Sequence, residues 1–84
     1  MKPESVRLFV KPGCPWCEEA VDWLVSNGIK YELLDVTTSA EARDEMHELT
    51  GQTRAPCIDV DGQVLSDFGA DELEAWWEQT GFSV

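Results

Sequence analysis

Cys14 and Cys17 stand three positions apart, at a point where the chain changes character. Before them runs an apolar, β-rich stretch, Val6-Arg7-Leu8-Phe9-Val10, which reads as a buried strand stopped by Lys11-Pro12-Gly13. After them, Ala20, Val21, Leu24 and Val25 recur at helical spacing, with Pro15 suited to the first helical position and Gly28 to the stop, predicting a helix over 15–27. The stretch 29–36, Ile-Lys-Tyr-Glu-Leu-Leu-Asp-Val, reads as a second strand. Strand, helix and strand within about 30 residues form the βαβ pattern of parallel pairing with a right-handed crossover. The cysteines therefore fall at the carboxyl end of a strand and the amino end of a helix.

The remaining segments extend the pattern. Residues 37–51 predict a second helix, with Thr38 and Glu41 at capping-box spacing, Ala42, Met46 and Leu49 on one face, and Gly51 as terminator. Cys-Ile-Asp-Val, Asp61-Gly62 and Gln-Val-Leu-Ser predict a hairpin over 57–66. A last helix is expected over 71–80, its stripe of Leu73, Trp76, Trp77 and Thr80 facing the sheet. The order β-α-β-α-β-β-α implies an α/β fold with a four-stranded mixed sheet flanked by helices. A Cys-x-x-Cys opening the first helix of such a unit points to the thioredoxin-like fold.

With 84 residues, only one small domain is available, spanning 1–84. Seventeen acids against six bases give a formal charge of −11, which opposes nucleic acid phosphates and anionic lipid. No apolar stretch approaches the roughly 18 residues needed to span a bilayer, and Met-Lys-Pro-Glu-Ser-Val lacks the apolar core of a signal peptide. A soluble, cytoplasmic monomer with no nucleic acid or membrane partner is expected. In a reducing compartment a close cysteine pair reads as catalytic or metal-binding sooner than structural.

If Cys14 ends the loop and Cys17 lies in the first helical turn, both side chains share one face, within the roughly 5.5 to 6 Å Cα separation that a disulfide prefers. Cys14 would meet the positive end of the helix, which favours a thiolate, while Cys17 would be less exposed and more protonated. That asymmetry assigns Cys14 as nucleophile and Cys17 as resolving thiol. Zinc would require a second cysteine pair or histidines at ligand spacing, and only Cys57 and His47 remain, so no metal is expected.

Other residues carry weaker signals. Pro56 precedes the third strand, and a cis bond there would leave the backbone of Ala55 free to pair with substrate. Asp-Phe-Gly-Ala-Asp-Glu-Leu offers a loop and helix start whose amides can hold a carboxylate. Trp16 reads as an exposed contact platform, Trp23 as cover for a hydrophobic patch, and His47 as an exposed helix residue. Cys57 has two readings: a small buried hydrophobe, or a third thiol acting as an alternative resolving or regulatory group.

Across nearly the whole chain these motifs resemble the glutaredoxins. Phe-Val-Lys-Pro-Gly-Cys-Pro-Trp-Cys is similar to the family's strand and Lys-Pro-x-Cys-Pro-Tyr-Cys motif, Thr-Gly-Gln-Thr-Arg-Ala-Pro to its Thr-Gly-x-x-Thr-Val-Pro, and Phe-Gly-Ala-Asp-Glu-Leu to its Gly-Gly-x-Asp-Asp-Leu. The resemblance implies a thiol-disulfide oxidoreductase with Cys14 as nucleophile and Pro56 in cis. It also implies a binding site for glutathione or a target made by Lys11, Trp16, Arg54, Ala55, Pro56, Ala70 and Asp71. Lys11 or Arg54 would meet the glycine carboxylate, Ala55 the cysteinyl backbone, and the start of the last helix with Asp71 the γ-glutamyl group.

Phe68 stands where the family has the first glycine of its pair, Arg54-Ala55 replaces Thr-Val, and Glu18-Glu19 occupy positions that are often basic. The Arg-Ala-Pro and Ser-Asp-Phe stretches resemble instead the redoxins that serve ribonucleotide reductase and take electrons from thioredoxin reductase. The resemblance thus leaves two electron donors, glutathione and thioredoxin reductase, and implies disulfide-containing proteins as substrates. A third implied role, from a different class, is a glutathione-assisted iron–sulfur cluster carrier. Glu18 and Glu19 suit the positive end of a helix, yet their charge opposes a nearby thiolate and repels an anionic tripeptide.

Overall fold

The computed structural model describes residues 2–52 and 54–83. Its elements run β1 (Val6–Val10), α1 (Pro15–Ser26), β2 (Glu32–Asp35), α2 (Ala40–Thr50), β3 (Cys57–Val60), β4 (Gln63–Ser66) and α3 (Ala70–Gln79). The strands form one sheet in the order β2-β1-β3-β4. β1 pairs parallel with β2 and antiparallel with β3, and β3 pairs antiparallel with β4, which gives the expected mixed, thioredoxin-like sheet.

Period-two alternation sorts the strand residues between two core layers. Val6, Leu8 and Val10 of β1 and Ile58 and Val60 of β3 join Cys17, Ala20 and Leu24 of α1 and Leu73 and Trp77 of α3 on one face. Phe9 and Cys57, directly opposite each other across β1 and β3, pack with Val36, Ala42 and Met46 on the α2 face. Trp77 anchors the first layer: its ring meets Trp23 edge-on at 5.5 Å and Phe82 at 5.2 Å. Trp23 therefore fills a hydrophobic contact between α1 and α3, in keeping with its reading as cover for a hydrophobic patch.

The α2 face also holds charge. Arg7 Nη2 lies 2.5 Å from Asp59 Oδ2, and Arg7 Nη1 lies 2.7 Å from Glu45 Oε2. The Asp59 side chain is only 10% exposed, so the guanidinium is what makes its burial tolerable. Both carboxylates hold the Arg7 pKa above its ordinary value, Asp59 first and Glu45 second. Among the described residues, no buried side-chain nitrogen or oxygen lacks a hydrogen-bond partner.

Some local expectations change. The buried stripe of α1 starts at Cys17 and runs through Ala20 and Leu24, leaving Val25 62% exposed. β2 covers only Glu32–Asp35 because Ile29 is used to finish α1, its amide donating to Leu24 O at 3.0 Å. Ser39, not Thr38, caps α2, accepting from the Ala42 amide at 3.2 Å. The reason is Asp35, whose Oδ1 accepts from both the amide and the hydroxyl of Thr37 and so turns this segment before the helix can start. Leu49, at 38% exposure, lies outside the α2 stripe. The hairpin turn is as expected: Asp61 and Gly62 both have positive φ, 51° and 91°, which a two-residue type I′ turn requires.

Candidate active site

The site begins with the end of β1. The exposed turn Lys11-Pro12-Gly13 delivers Cys14 to the N-cap of α1, with extended backbone at φ −94° and ψ 114°. Pro15 then takes the first helical position, where its missing N–H costs no hydrogen bond. The Cys14 carbonyl accepts from the Glu18 amide at 3.1 Å, which closes the first turn. Cys14 is half-buried, whereas Cys17 is 3% exposed. Both are free thiols.

Burial pushes the Cys17 thiol up to about 11. A backbone hydrogen bond from Lys11 works against that rise, and a side-chain hydrogen bond with Cys14 adds to it. The two thiols therefore lie close to each other, with Cys17 keeping its proton at neutral pH. Trp16, between them in sequence, is 48% exposed.

A second wall comes from two loops. The Ala55-Pro56 bond is cis, Pro56 is buried, and Ala55 packs with Cys14 against the α1 and α3 core layer. The Pro56 carbonyl accepts from the Asp67 amide at 2.9 Å, which ties this loop to the one leading into α3. Thr53, which belongs to the motif matched above, lies outside the described residues. The start of α1, the Ala55-Pro56 turn and residues 67–70 are thus linked to one another, through Glu19 with Ala70 and Pro56 with Asp67.

The glutaredoxin family model matches residues 6–65. The chain belongs to the glutaredoxin family. Glutaredoxin 3 of Escherichia coli K12 is 34% identical over 71 residues, covering 84% of this chain and 83% of that one. The solution structure of a glutaredoxin from Brucella melitensis is 30% identical, covers 96% of this chain and 85% of its own, and superposes with a TM-score of 0.68. The crystal structure of a thioredoxin-like protein, 27% identical, gives a TM-score of 0.77 over 84% of this chain and 97% of its own.

Of the residues that glutaredoxin resemblance marks for glutathione, Lys11, Trp16, Arg54 and Asp71 are exposed, and Ala55 and Ala70 are half-buried. Arg54 has a partner inside the chain: Nη1 lies 3.5 Å from Asp67 Oδ2. Ala70 does too, since its amide points to Glu19 Oε1 at 3.5 Å. Asp71 sits in the first turn of α3, where its charge suits the helix end. Neither Asp67 nor Glu19 was marked as a contact in the sequence. Glu19 stood out only as an acid in an unexpected place, and its partner lies 51 residues away.

Cys57 is fully buried, on the α2 face of the sheet. Desolvation, with the Asp59 charge, pushes its thiol up to about 12, and Arg7 only partly offsets this. His47 is exposed on α2. No group of three or more His, Cys, Asp and Glu side chains among the described residues is placed to hold a metal ion. None of the described helices is long and apolar enough to cross a membrane.

A groove of about 480 Å³ opens on the other side of α1, toward the edge strand β2. Val10, Cys17, Val21 and the 54% exposed Leu33 give it an apolar floor, and Lys11, Glu18, Asp22 and Asp35 its charged rim. Hydrogen bonds from Thr37 hold the Asp35 carboxyl below its ordinary value. α1 therefore presents Glu18 and Asp22 to this groove, while Glu19 and Trp23 turn toward α3.

Proposed function

We propose that this chain is a dithiol thiol-disulfide oxidoreductase acting on disulfide-containing proteins or glutathione mixed disulfides. The observation that carries the reading is the proximity of a half-buried Cys14 at the amino end of α1 to a buried, protonated Cys17. The Cys14 thiolate attacks one sulfur of the substrate disulfide; a new S–S bond forms to Cys14, and the other substrate sulfur leaves as a thiolate that takes a proton from water. Cys17 then loses its proton and attacks Cys14 Sγ. The Cys14–substrate bond breaks, the second substrate thiolate departs, and Cys14 and Cys17 are left joined. The substrate has gained two electrons from the two cysteines and two protons, one from water and one matching the proton that Cys17 released.

The internal disulfide must be reopened by an external reductant. Glutathione is the donor that family membership suggests. Thioredoxin reductase is the alternative, with ribonucleotide reductase as a target, and one observation favours it: Arg54 and the Ala70 amide already face Asp67 and Glu19. A monomer in a reducing, cytoplasmic compartment suits either cycle.

The test reduces the oxidised protein with glutathione and, separately, with thioredoxin reductase and its nicotinamide cofactor. Reduction by one donor and subsequent transfer to a protein disulfide supports the proposal. A Cys14→Ser variant that transfers electrons as fast as the wild type would sink it.

A further inference from the structure

Three groups near the thiol pair can attract negative charge: the Lys11 ammonium, the Arg54 guanidinium and the open amides of the first turn of α3. Two of the three are already answered by carboxylates of the same chain. Gly69 caps α3 without a side chain, so no N-cap oxygen serves those amides. Glu19 reaches across from α1 instead, bringing Oε1 to 3.5 Å from the Ala70 amide. The same oxygen would lie 3.6 Å from a Cβ built on Gly69, which places it over the turn itself. The separation is long for a hydrogen bond, so the attraction is chiefly that of a carboxylate for the positive end of a helix. Asp67 answers Arg54 in the same manner, at 3.5 Å.

The order of these events along the chain makes the arrangement specific. Glu19 is two positions after Cys17, so the helix that presents the thiols also presents the carboxylate. The loop that carries Asp67 is fastened to the carbonyl of Pro56 and leads directly into α3. Lys11 enters no ion pair among the described residues, and it is joined on α1 by Glu18 and Asp22 at the rim of the neighbouring groove. Among the described residues near the thiol pair, an approaching anion thus meets Lys11, which enters no ion pair there, and several carboxylates.

We propose that Glu19 is a specificity-determining residue: an internal carboxylate that occupies the start of α3 and excludes the carboxylates of anionic thiol substrates, glutathione among them. A ligand carboxylate that sought the Ala70 amide would have to displace Glu19 or share the helix end with a like charge, and either cancels what the helix end offers. The site is left to disulfides flanked by neutral or basic residues. This last clause rests on the oxidoreductase reading above; the exclusion itself is a statement about binding.

The experiment titrates S-methylglutathione, an anionic tripeptide whose sulfur cannot exchange, into ¹⁵N-labelled protein and follows the Ala70 and Asp71 amide resonances. Glu19→Gln keeps the shape and removes the charge, and Glu19→Ala clears the space. Glu48→Gln, at an exposed position of α2 on the other side of the sheet, removes one charge elsewhere. A saturable Ala70 response in the Glu19 variants, with a Kd about tenfold or more below that of the wild type, is expected, and Glu48→Gln should match the wild type. An Ala70 response of equal Kd in the wild type, no response in either Glu19 variant, or an equal gain in Glu48→Gln overturns the proposal. Because no thiol exchange is involved, a wild type unable to reduce any disulfide would end the functional reading and leave this binding result standing.

Discussion

Cys17 and Cys57 are both buried thiols, and they lie on opposite faces of the sheet. β3 alternates, so Cys57 and Asp59 turn toward α2 while Ile58 and Val60 turn toward α1 and α3. A cysteine directly after Pro56 is thereby separated from the thiol pair by the thickness of the sheet. At zero exposure it has no path to an outside reagent while the fold is intact.

Alkylation at neutral pH should therefore label Cys14 rapidly and leave Cys57 unmodified until denaturant is added. Peptide mass mapping reads this directly. Oxidised native protein should carry a Cys14–Cys17 bridge and an unmodified Cys57; a bridge to Cys57 would show that β3 opens more easily than its packing implies.

Replacing Cys17 by Ser leaves a nucleophile without a resolving thiol. Incubated with a protein disulfide, this variant should accumulate a mixed disulfide at Cys14, visible as an added mass that dithiothreitol removes. Cys14→Ser should form no adduct and reduce substrate at the uncatalysed rate. An adduct on Cys14→Ser would reassign the roles.

The buried thiols also set an alkaline limit to stability. A thiol has an ordinary pKa of 9.0, and the fold raises Cys17 to about 11 and Cys57 to about 12. Above about pH 9 the unfolded chain releases both protons while the folded chain keeps them, so the unfolded state is favoured increasingly until the folded-state values are passed. Thermal unfolding should show Tm falling from pH 9 to pH 11, with Cys57→Ala reducing that fall. A Tm slope unchanged by Cys57→Ala would mean that the burial of this thiol contributes nothing to the linkage.

Arg7 is held by two carboxylates of unequal burial. Arg7→Met leaves Asp59 charged and enclosed, and should lower stability by about 3 kcal/mol. Glu45→Gln breaks an ion pair whose carboxylate side chain is 41% exposed, and should cost about 1 kcal/mol or less. Urea unfolding at neutral pH compares the two; equal losses would contradict the burial argument.

The element order was legible because its signals are local. Apolar alternation, the 3.6-residue period, Pro15 at a helix start and Asp61-Gly62 at a turn each act over a few residues, and so does the three-residue spacing that brings Cys14 and Cys17 onto one helical face. The finer local readings failed where a neighbour competed. Asp35 took the hydrogen bonds of Thr37 and moved the α2 cap to Ser39, and α1 packs on the sheet and α3 through Cys17, Ala20 and Leu24, leaving Val25 exposed.

What the sequence by itself determined is the α/β order and the identity and placement of the thiol pair, because the forces that set them fall off within one turn or one strand. What only the tertiary structure decided is which charges meet. Glu19 with Ala70, Arg54 with Asp67 and Arg7 with Asp59 join separate elements, in two of these cases across 51 and 52 residues. No periodicity encodes such pairs, since they exist only once β1 has paired with β3 and α1, α3 and the loops before β3 and α3 are packed on the sheet. The acids after Cys17 could be seen as an oddity in the chain, but that Glu19 comes to lie over the start of the neighbouring helix depends on where the fold puts that helix.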